Sequence, residues 1–213
     1  HSLAELVAAT GIARPTAHRL AVALEFHRLV ARDLTGRFVL GPRSGELGAA
    51  AGEDRLLAAA APALSALRDA TGESAQLYRR QGDLRICVAV AERLSGLRDS
   101  VPVGAALTMQ AGSAAQILLA WEDSEKIHRG LTNARFTAAQ LSADRRRGWA
   151  QSVGEREAGV ASVSAPVRAP NGKVIAAVSI SGPIERLGRQ PGRIHAAAVV
   201  ATAARLTEYL TRE

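Results

Sequence analysis

The chain of 213 residues predicts an α+β protein in two parts, a helix-turn-helix with a following hairpin and then a larger mixed domain. Three observations carry this. Residues 13–24, ARPTAHRLAVAL, place apolar residues at helical spacing behind a basic first turn. Residues 29–40 alternate as two short strands about a glycine turn, and from residue 54 onward helical runs interleave with two further hairpin signals.

Taken in order, Ser2 followed by Glu5 forms a capping box, Leu3, Leu6 and Val7 give the first helix an apolar face, and Thr10-Gly11 ends it. Pro15 suits the first turn of a second helix, where its missing N–H breaks no bond. Ala17, Leu20, Ala21 and Leu24 then recur as a stripe expected to be buried, with Arg14, Thr16, His18 and Arg19 off it. Two short helices joined by a tight turn, the second opening on such residues, place that second helix N-terminus first in a major groove. The candidate nucleic-acid contacts are Arg14, Thr16, Ala17, His18 and Arg19. An ordinary helical hairpin with surface arginines would share much of this pattern. Strands at 29–33 and 37–40 about Leu34-Thr35-Gly36 add a wing, whose Arg32 and Arg37 suit phosphate or minor-groove contact. Residues 1–45 hold six arginines against Glu5, Glu25 and Asp33, about +3 net.

Gly41-Pro42 ends the wing, and residues 43–51 form a short alanine-rich helix fit to connect two parts. Leu57, Ala61, Leu64 and Leu67 set a helix from Asp54 to Ala70, with a bend expected at Pro62 and a stop at Thr71-Gly72. Strands follow at 75–79 and 85–91 about Gln81-Gly82-Asp83, then helices at 112–121 and 122–130. Thr137 and Gln140 cap a helix expected to run to about Val153, its Arg145–Arg147 run a solvated face. Strands at 159–168 and 173–181 are joined by Asn171-Gly172, and a helix from about Arg193 to Leu210 closes the chain.

The net charge of +7 and pI near 10.8 agree with a polyanionic partner. Two lysines against twenty-five arginines, however, speak for a GC-rich coding bias more than for a binding surface. A lone cysteine, Cys87, excludes an intramolecular disulfide and reads as a buried, inert thiol. No apolar run approaches the roughly 20 residues of a membrane span, and no signal-peptide pattern opens the chain, so a soluble, cytoplasmic protein is expected.

The late strands hold a second candidate site. Val160, Ser162 and Ser164 share a face, as do Ala177, Ser179 and Ser181, whereas Ala176, Val178 and Ile180 point the other way. A face of small and hydroxylated residues suggests a close cover, either a ligand or another strand. The loop 110–113 leads into a helix whose free N–H groups favour a small anion. Catalysis finds no support: Ser113 is not in a nucleophile elbow, His128 and His195 read as surface or structural residues, and no metal or cofactor motif exists.

ARPTAHRLAVAL, RFVLGPR (37–43), AGSAAQILLAW (111–121), GVASVSAPV (159–167) and VSISGPIERL (178–187) stand in one order along the chain, which in this resembles the IclR family of transcriptional regulators. GESAQLYRRQGD (72–83) and ERLSGLRDSVPVG (92–104) are similar to its actinobacterial NdgR/LtbR branch, associated with leucine and other amino-acid biosynthesis genes. The resemblance implies a winged helix-turn-helix at 1–42 whose first helix lies before His1, a linker helix at 43–53, and a GAF-like effector-binding domain at 54–213. It also implies homodimers or dimers of dimers on operator DNA, controlled by a small carboxylate or amino acid. The implied effector residues are Ser113, Ala114, Val160, Ser162, Ser179 and Ser181, with Leu97 and Met109 expected near the apolar end of the ligand. Ser162 stands where some members have cysteine and Ser152 where some have aspartate. The other reading from these residues is a GAF-like metabolite-binding protein or enzyme whose N-terminal segment only mediates oligomerisation.

Overall fold

The structure is a computed structural model that describes residues 1–33, 35–51 and 55–211, with side chains except at 45 and 48–51. It divides into two compact units, His1–Asp54 and Arg55–Glu213.

In the first unit, α1 (Leu3–Thr10) carries the capping box: Ser2 Oγ accepts from the Glu5 N–H at 3.3 Å, and Glu5 Oε2 accepts from the Ser2 N–H at 2.8 Å. Helix α2 (Arg14–Phe26) has Pro15 in its first turn. Its stripe departs from expectation. Ala17 and Ala21 are buried, but Leu20 and Leu24 are 49% and 42% exposed. Within this unit α2 packs on α1 and on β1 (Val30–Arg32) through its alanine side, and the leucine side stays open among the described residues. β1 pairs antiparallel with β2 (Phe38–Leu40), and Asp33 Oδ1 accepts from both the N–H and the hydroxyl of Thr35 to tighten the turn. Leu34 of the expected turn lies outside the described residues. At Gly41 a Cβ would lie 2.2 Å from the Arg28 carbonyl oxygen, so only glycine lets the chain pass there into α3 (Pro42–Ala51). Residues 52 and 53 of the expected linker are not described.

The second unit runs α4 (Arg55–Thr71), β3 (Ser74–Gln81), β4 (Leu84–Ala91), β5 (Ala106–Thr108), α5 (Ser113–Ala120) and α6 (Ser124–Gly130). It continues with α7 (Ala138–Arg147), β6 (Ala150–Val153), β7 (Val160–Arg168), β8 (Val174–Pro183), α8 (Ile184–Leu187) and α9 (Pro191–Thr211). Among the described residues the strands form one antiparallel sheet in the order β5-β4-β3-β8-β7-β6. Alternation divides the side chains between its faces. Leu77, Val163, Val178 and Ile180 meet Leu56, Leu64 and Leu67 of α4 and Val199 and Leu206 of α9 in one apolar core. On the other face Tyr78, Cys87 and Ala177 meet Ile117 and Leu119 of α5, with Leu141 of α7 and Phe136.

The helix expected to reach Val153 ends at Arg147. Gly148 takes φ +80°, in the left-handed region, and its N–H closes on the Asp144 carbonyl at 2.8 Å. The next four residues then pair with β7 as an edge strand. Strand β5 and helix α8 are too short to leave a periodic signal, and the sequence did not indicate them. The arginines at 145–147 are all exposed, as expected of a solvated face, and Arg147 in addition pairs with buried Asp144 at 2.6 Å and lies over the Trp149 ring at 3.9 Å. Among the described residues no helix is long and apolar enough to cross a membrane.

Candidate functional site

The first unit has a groove of about 600 Å³ where the starts of α1 and α2 face the hairpin. Arg14, His18, Arg32 and Arg37 all line it. The arginines differ in what they already hold. Arg37 Nη2 donates to both Glu5 oxygens at 2.9 and 2.8 Å. Arg32 donates to Glu25 at 3.2 Å and stacks over Phe38 at 4.5 Å. Arg14 and Arg19 are exposed and make no ion pair among the described residues, His18 is exposed, and Thr16 is half-buried. Ala17 was expected among the contacts. It is buried in the packing of α2, because its position belongs to the stripe, and it presents no surface to a groove.

In the second unit the register sets Ser162 opposite Ser181 and Ser164 opposite Ser179, with Gln76 of β3 beside Ser179. This hydroxyl face is not open. The first residue of α5 covers it: Ser113 Oγ lies 2.7 Å from Ser162 Oγ and 2.7 Å from Ser164 Oγ. Ser164 donates to Ser179 at 2.9 Å, and Gln76 Nε2 donates to Ser181 at 3.0 Å. The cover expected from sequence is therefore a helix start, neither ligand nor strand. Beside it lies a cavity of about 20 Å³ lined by Ser113, Ala114, Val160, Ser162, Ser179 and Ser181 and further by Ser152, Gly112, Tyr78, Arg85, Asp99 and Arg156. It is about the size of one water.

Two expected residues are elsewhere. Leu97 is 73% exposed, and only its carbonyl is engaged, by Arg186 at 2.7 Å. Its loop turns the side chain to solvent. Met109 is buried in the apolar cluster with Tyr78 and Val101 and does not line the cavity, because β5 ends just before it and directs it inward.

The charges were not foreseen. Arg85, only 3% exposed, donates through Nη1 to the Thr108 carbonyl, faces the Tyr78 ring at 5.6 Å, and leaves Nε without a partner. Burial pushes its pKa down to about 10, with Tyr78 opposing. No carboxylate forms an ion pair with it among the described residues. Burial likewise raises the Tyr78 phenol and pushes the Cys87 thiol up to about 11, which leaves that thiol protonated and inert. Arg156 donates to Asp99 Oδ1 at 2.5 Å; burial pulls its pKa down, and Asp99, with Glu157 and Tyr78, leaves it raised. Gly112, at φ +95°, brings the backbone so close that a Cβ would lie 3.2 Å from Arg85 Nη2. Its N–H is held by Glu155 Oε2 at 2.9 Å, so the start of α5 is already partly neutralised. Arg85 left one trace in the sequence, a charge in the alternating strand LRICVAVA two residues before Cys87. Asp99 and Arg156 sit in loops and left none.

Residues 1–34 match the family described as the IclR helix-turn-helix domain, and residues 49–208 match that described as the bacterial transcriptional regulator IclR C-terminal. The chain is 28% identical over 195 residues to the uncharacterized HTH-type transcriptional regulator RhmR of Escherichia coli K12, covering 85% of this chain and 75% of that one. A crystal structure of an IclR transcriptional regulator from Alicyclobacillus acidocaldarius superposes with TM-score 0.78 at 25% identity, over 98% of this chain and 90% of that one. The Thermotoga maritima IclR, at 20% identity and TM-score 0.75 over 99% and 91% of the two chains, shares the fold.

Proposed function

Because the chain belongs to the IclR family of bacterial transcriptional regulators, a DNA-binding protein with an effector domain and not an enzyme, we propose that a small carboxylate metabolite controls its hold on an operator. The observation that carries this reading is the cavity at the start of α5, which serine hydroxyls, the first residues of the helix and two arginines line together. Ser181 is its best placed hydroxyl, since it accepts from Gln76 and keeps its own proton for a ligand. The effector is an amino acid or a branched-chain 2-keto or 2-hydroxy acid, and the targets are amino-acid and leucine biosynthesis genes, as in the NdgR/LtbR branch. The protein works in the cytoplasm as a dimer or dimer of dimers, since one such module touches too little DNA for strong specificity. Segments 1–42, 43–53 and 54–213 act as reader, linker and sensor. A ligand changes DNA affinity only by binding two arrangements of the dimer unequally, and the linker has to carry that difference.

A mobility-shift assay on the promoter beside its own gene, with and without these acids, tests the reading. Arg19→Ala should cost about 1–3 kcal/mol of operator binding and relax sequence preference, as the loss of a base-reading arginine does. Arg37→Ala should weaken all sequences alike, and by less, because Glu5 already engages that guanidinium. Unchanged operator affinity in both variants would remove α2 as the reading helix. Ser181→Ala should weaken the effector by about 1.5–3 kcal/mol, the worth of a hydrogen bond to a charged group, and leave effector-free operator binding intact. Equal affinities in titration calorimetry would take Ser181 out of the site.

A further inference from the structure

We propose that the carboxylate of the effector is recognised by the guanidinium groups of Arg85 and Arg156, and that the Asp99 carboxylate occupies this anion site in the ligand-free protein, so that binding is an exchange of one carboxylate for another. The inference rests on the effector reading above and names the groups that select the ligand.

Three observations lead to it. The first is the state of Arg85. A buried guanidinium normally carries a carboxylate partner, because removing its charge from water is costly. Here it has a carbonyl, an aromatic face and an Nε with no partner, in the wall of a cavity. The second is the charge distribution. The ionised lining groups are two arginines and one aspartate, and Asp99 is committed to Arg156 at 2.5 Å. Glu157 lies 3.7 Å from Arg156 Nη1, and Glu155 is spent on Gly112 and Gln116 and acts on Arg85 only through space, so neither forms an ion pair with Arg85. The cavity is one anion short.

The third is size. About 20 Å³ admits a water and not a branched five-carbon acid, so a wall has to yield. Most walls belong to the sheet or to α5, whose backbones are hydrogen-bonded along their length. Asp99 and Arg156 come from loops, and that of Asp99, between β4 and β5, is held by Asp99 on Arg156 and the Leu97 carbonyl on Arg186, with Arg98 and Ser100 on Glu92 inside the loop. Withdrawing Asp99 frees Arg156 and opens space in the same movement. An incoming carboxylate restores the charge that leaves, whereas an uncharged analogue would leave buried Arg85 and part-buried Arg156 facing each other across the cavity without it. This selects anions more strongly than the serines do, since hydroxyls accept and donate alike.

The test is calorimetry on the full chain with 2-oxoisovalerate, 2-hydroxyisovalerate and L-valine as probes and 2-oxoisovaleramide as the uncharged control, for the wild type, Asp99→Asn, Arg156→Gln and Ser181→Ala. Asp99→Asn keeps the shape of the side chain and should bind at least one acid tenfold or more tightly than the wild type, with no gain for the amide; Arg156→Gln should bind that acid at least tenfold more weakly. Hydrogen exchange on the wild type provides a measurement independent of any variant, and amides in residues 97–101 should exchange faster at saturating probe as Asp99 leaves. If an acid binds in a Ser181-dependent way while Asp99→Asn and Arg156→Gln match the wild type, or if the loop becomes more protected, the exchange is wrong and the effector reading stands. Absence of binding by every acid to both wild type and Asp99→Asn would overturn both.

Discussion

Glu73→Ala should destabilise the effector unit by about 2–3 kcal/mol, just below the roughly 3–5 kcal/mol that breaking a fully buried ion pair costs. Glu73 is 3% exposed and takes Arg186 Nε and Nη2 at 2.6 and 2.8 Å, a bidentate pair. Arg186 is about one-third exposed on its side chain, so its stranded charge regains some water, which places the loss below the full range. The same guanidinium holds the Leu97 carbonyl, and the loop over the cavity should loosen with it. The fit is close: at Gly182 a Cβ would lie 2.3 Å from Glu73 Oε2, so β8 has glycine where the carboxylate passes. Both tryptophans, Trp121 and Trp149, lie in this unit, so urea unfolding followed by their fluorescence reports on it directly. A loss under about 0.5 kcal/mol, the level of an exposed pair, would mean the pair contributes only as surface charge.

Asp144→Asn should shift stability with pH and in the opposite sense to most carboxylates. Asp144 is fully buried, Arg147 holds one oxygen and the other has no partner, and burial pushes its pKa up to about 6 from 3.8 against the pull of Arg147. The folded state therefore keeps its proton longer than the unfolded state does. The folded protein gains from this below pH 4 and loses it progressively as pH rises through 6, by about 2–3 kcal/mol from one pKa unit being worth about 1.4 kcal/mol. Asparagine has no such dependence. Measured against the wild type, Asp144→Asn should improve by about 2–3 kcal/mol between pH 4 and pH 7.5. Trp149 fluorescence is well placed to show it, because Arg147 lies on that ring. A difference that stays flat across this interval would mean the acid is ionised throughout.

Much of the fold was written in local signals, and the exceptions share a cause. The capping boxes at Ser2 and Thr137 and the Asn171-Gly172 turn are decided by neighbours a few residues apart, and each forms as the sequence implied. The alternation in β7 and β8 likewise placed the serines on one face and Val178 and Ile180 on the other. The readings that failed depended on distant partners. Gly148 could stop a helix or sit within one, and only pairing of 150–153 with β7 decides. Leu20 and Leu24 had the right spacing for burial, but spacing does not say whether a neighbour exists to bury them. The serines of the candidate site were visible for the same reason as the strands. Its charges were not, since Asp99 and Arg156 are 57 residues apart and meet only through loops.

The serine contacts also have a direction. Each hydroxyl has one proton to give. Ser179 turns its proton to the Ile180 carbonyl at 3.4 Å and receives that of Ser164 at 2.9 Å. Ser164 must then receive from Ser113, and Ser113 from Ser162, so the protons point one way along the row and Ser162 ends it with bare lone pairs. To offer a donor to an anion, Ser162 need only rotate its O–H by one position and give up a single neutral hydrogen bond, about 1 kcal/mol. The row thus behaves as a soft polarity, ready to show the guest either a lone pair or a proton for nearly the same energy.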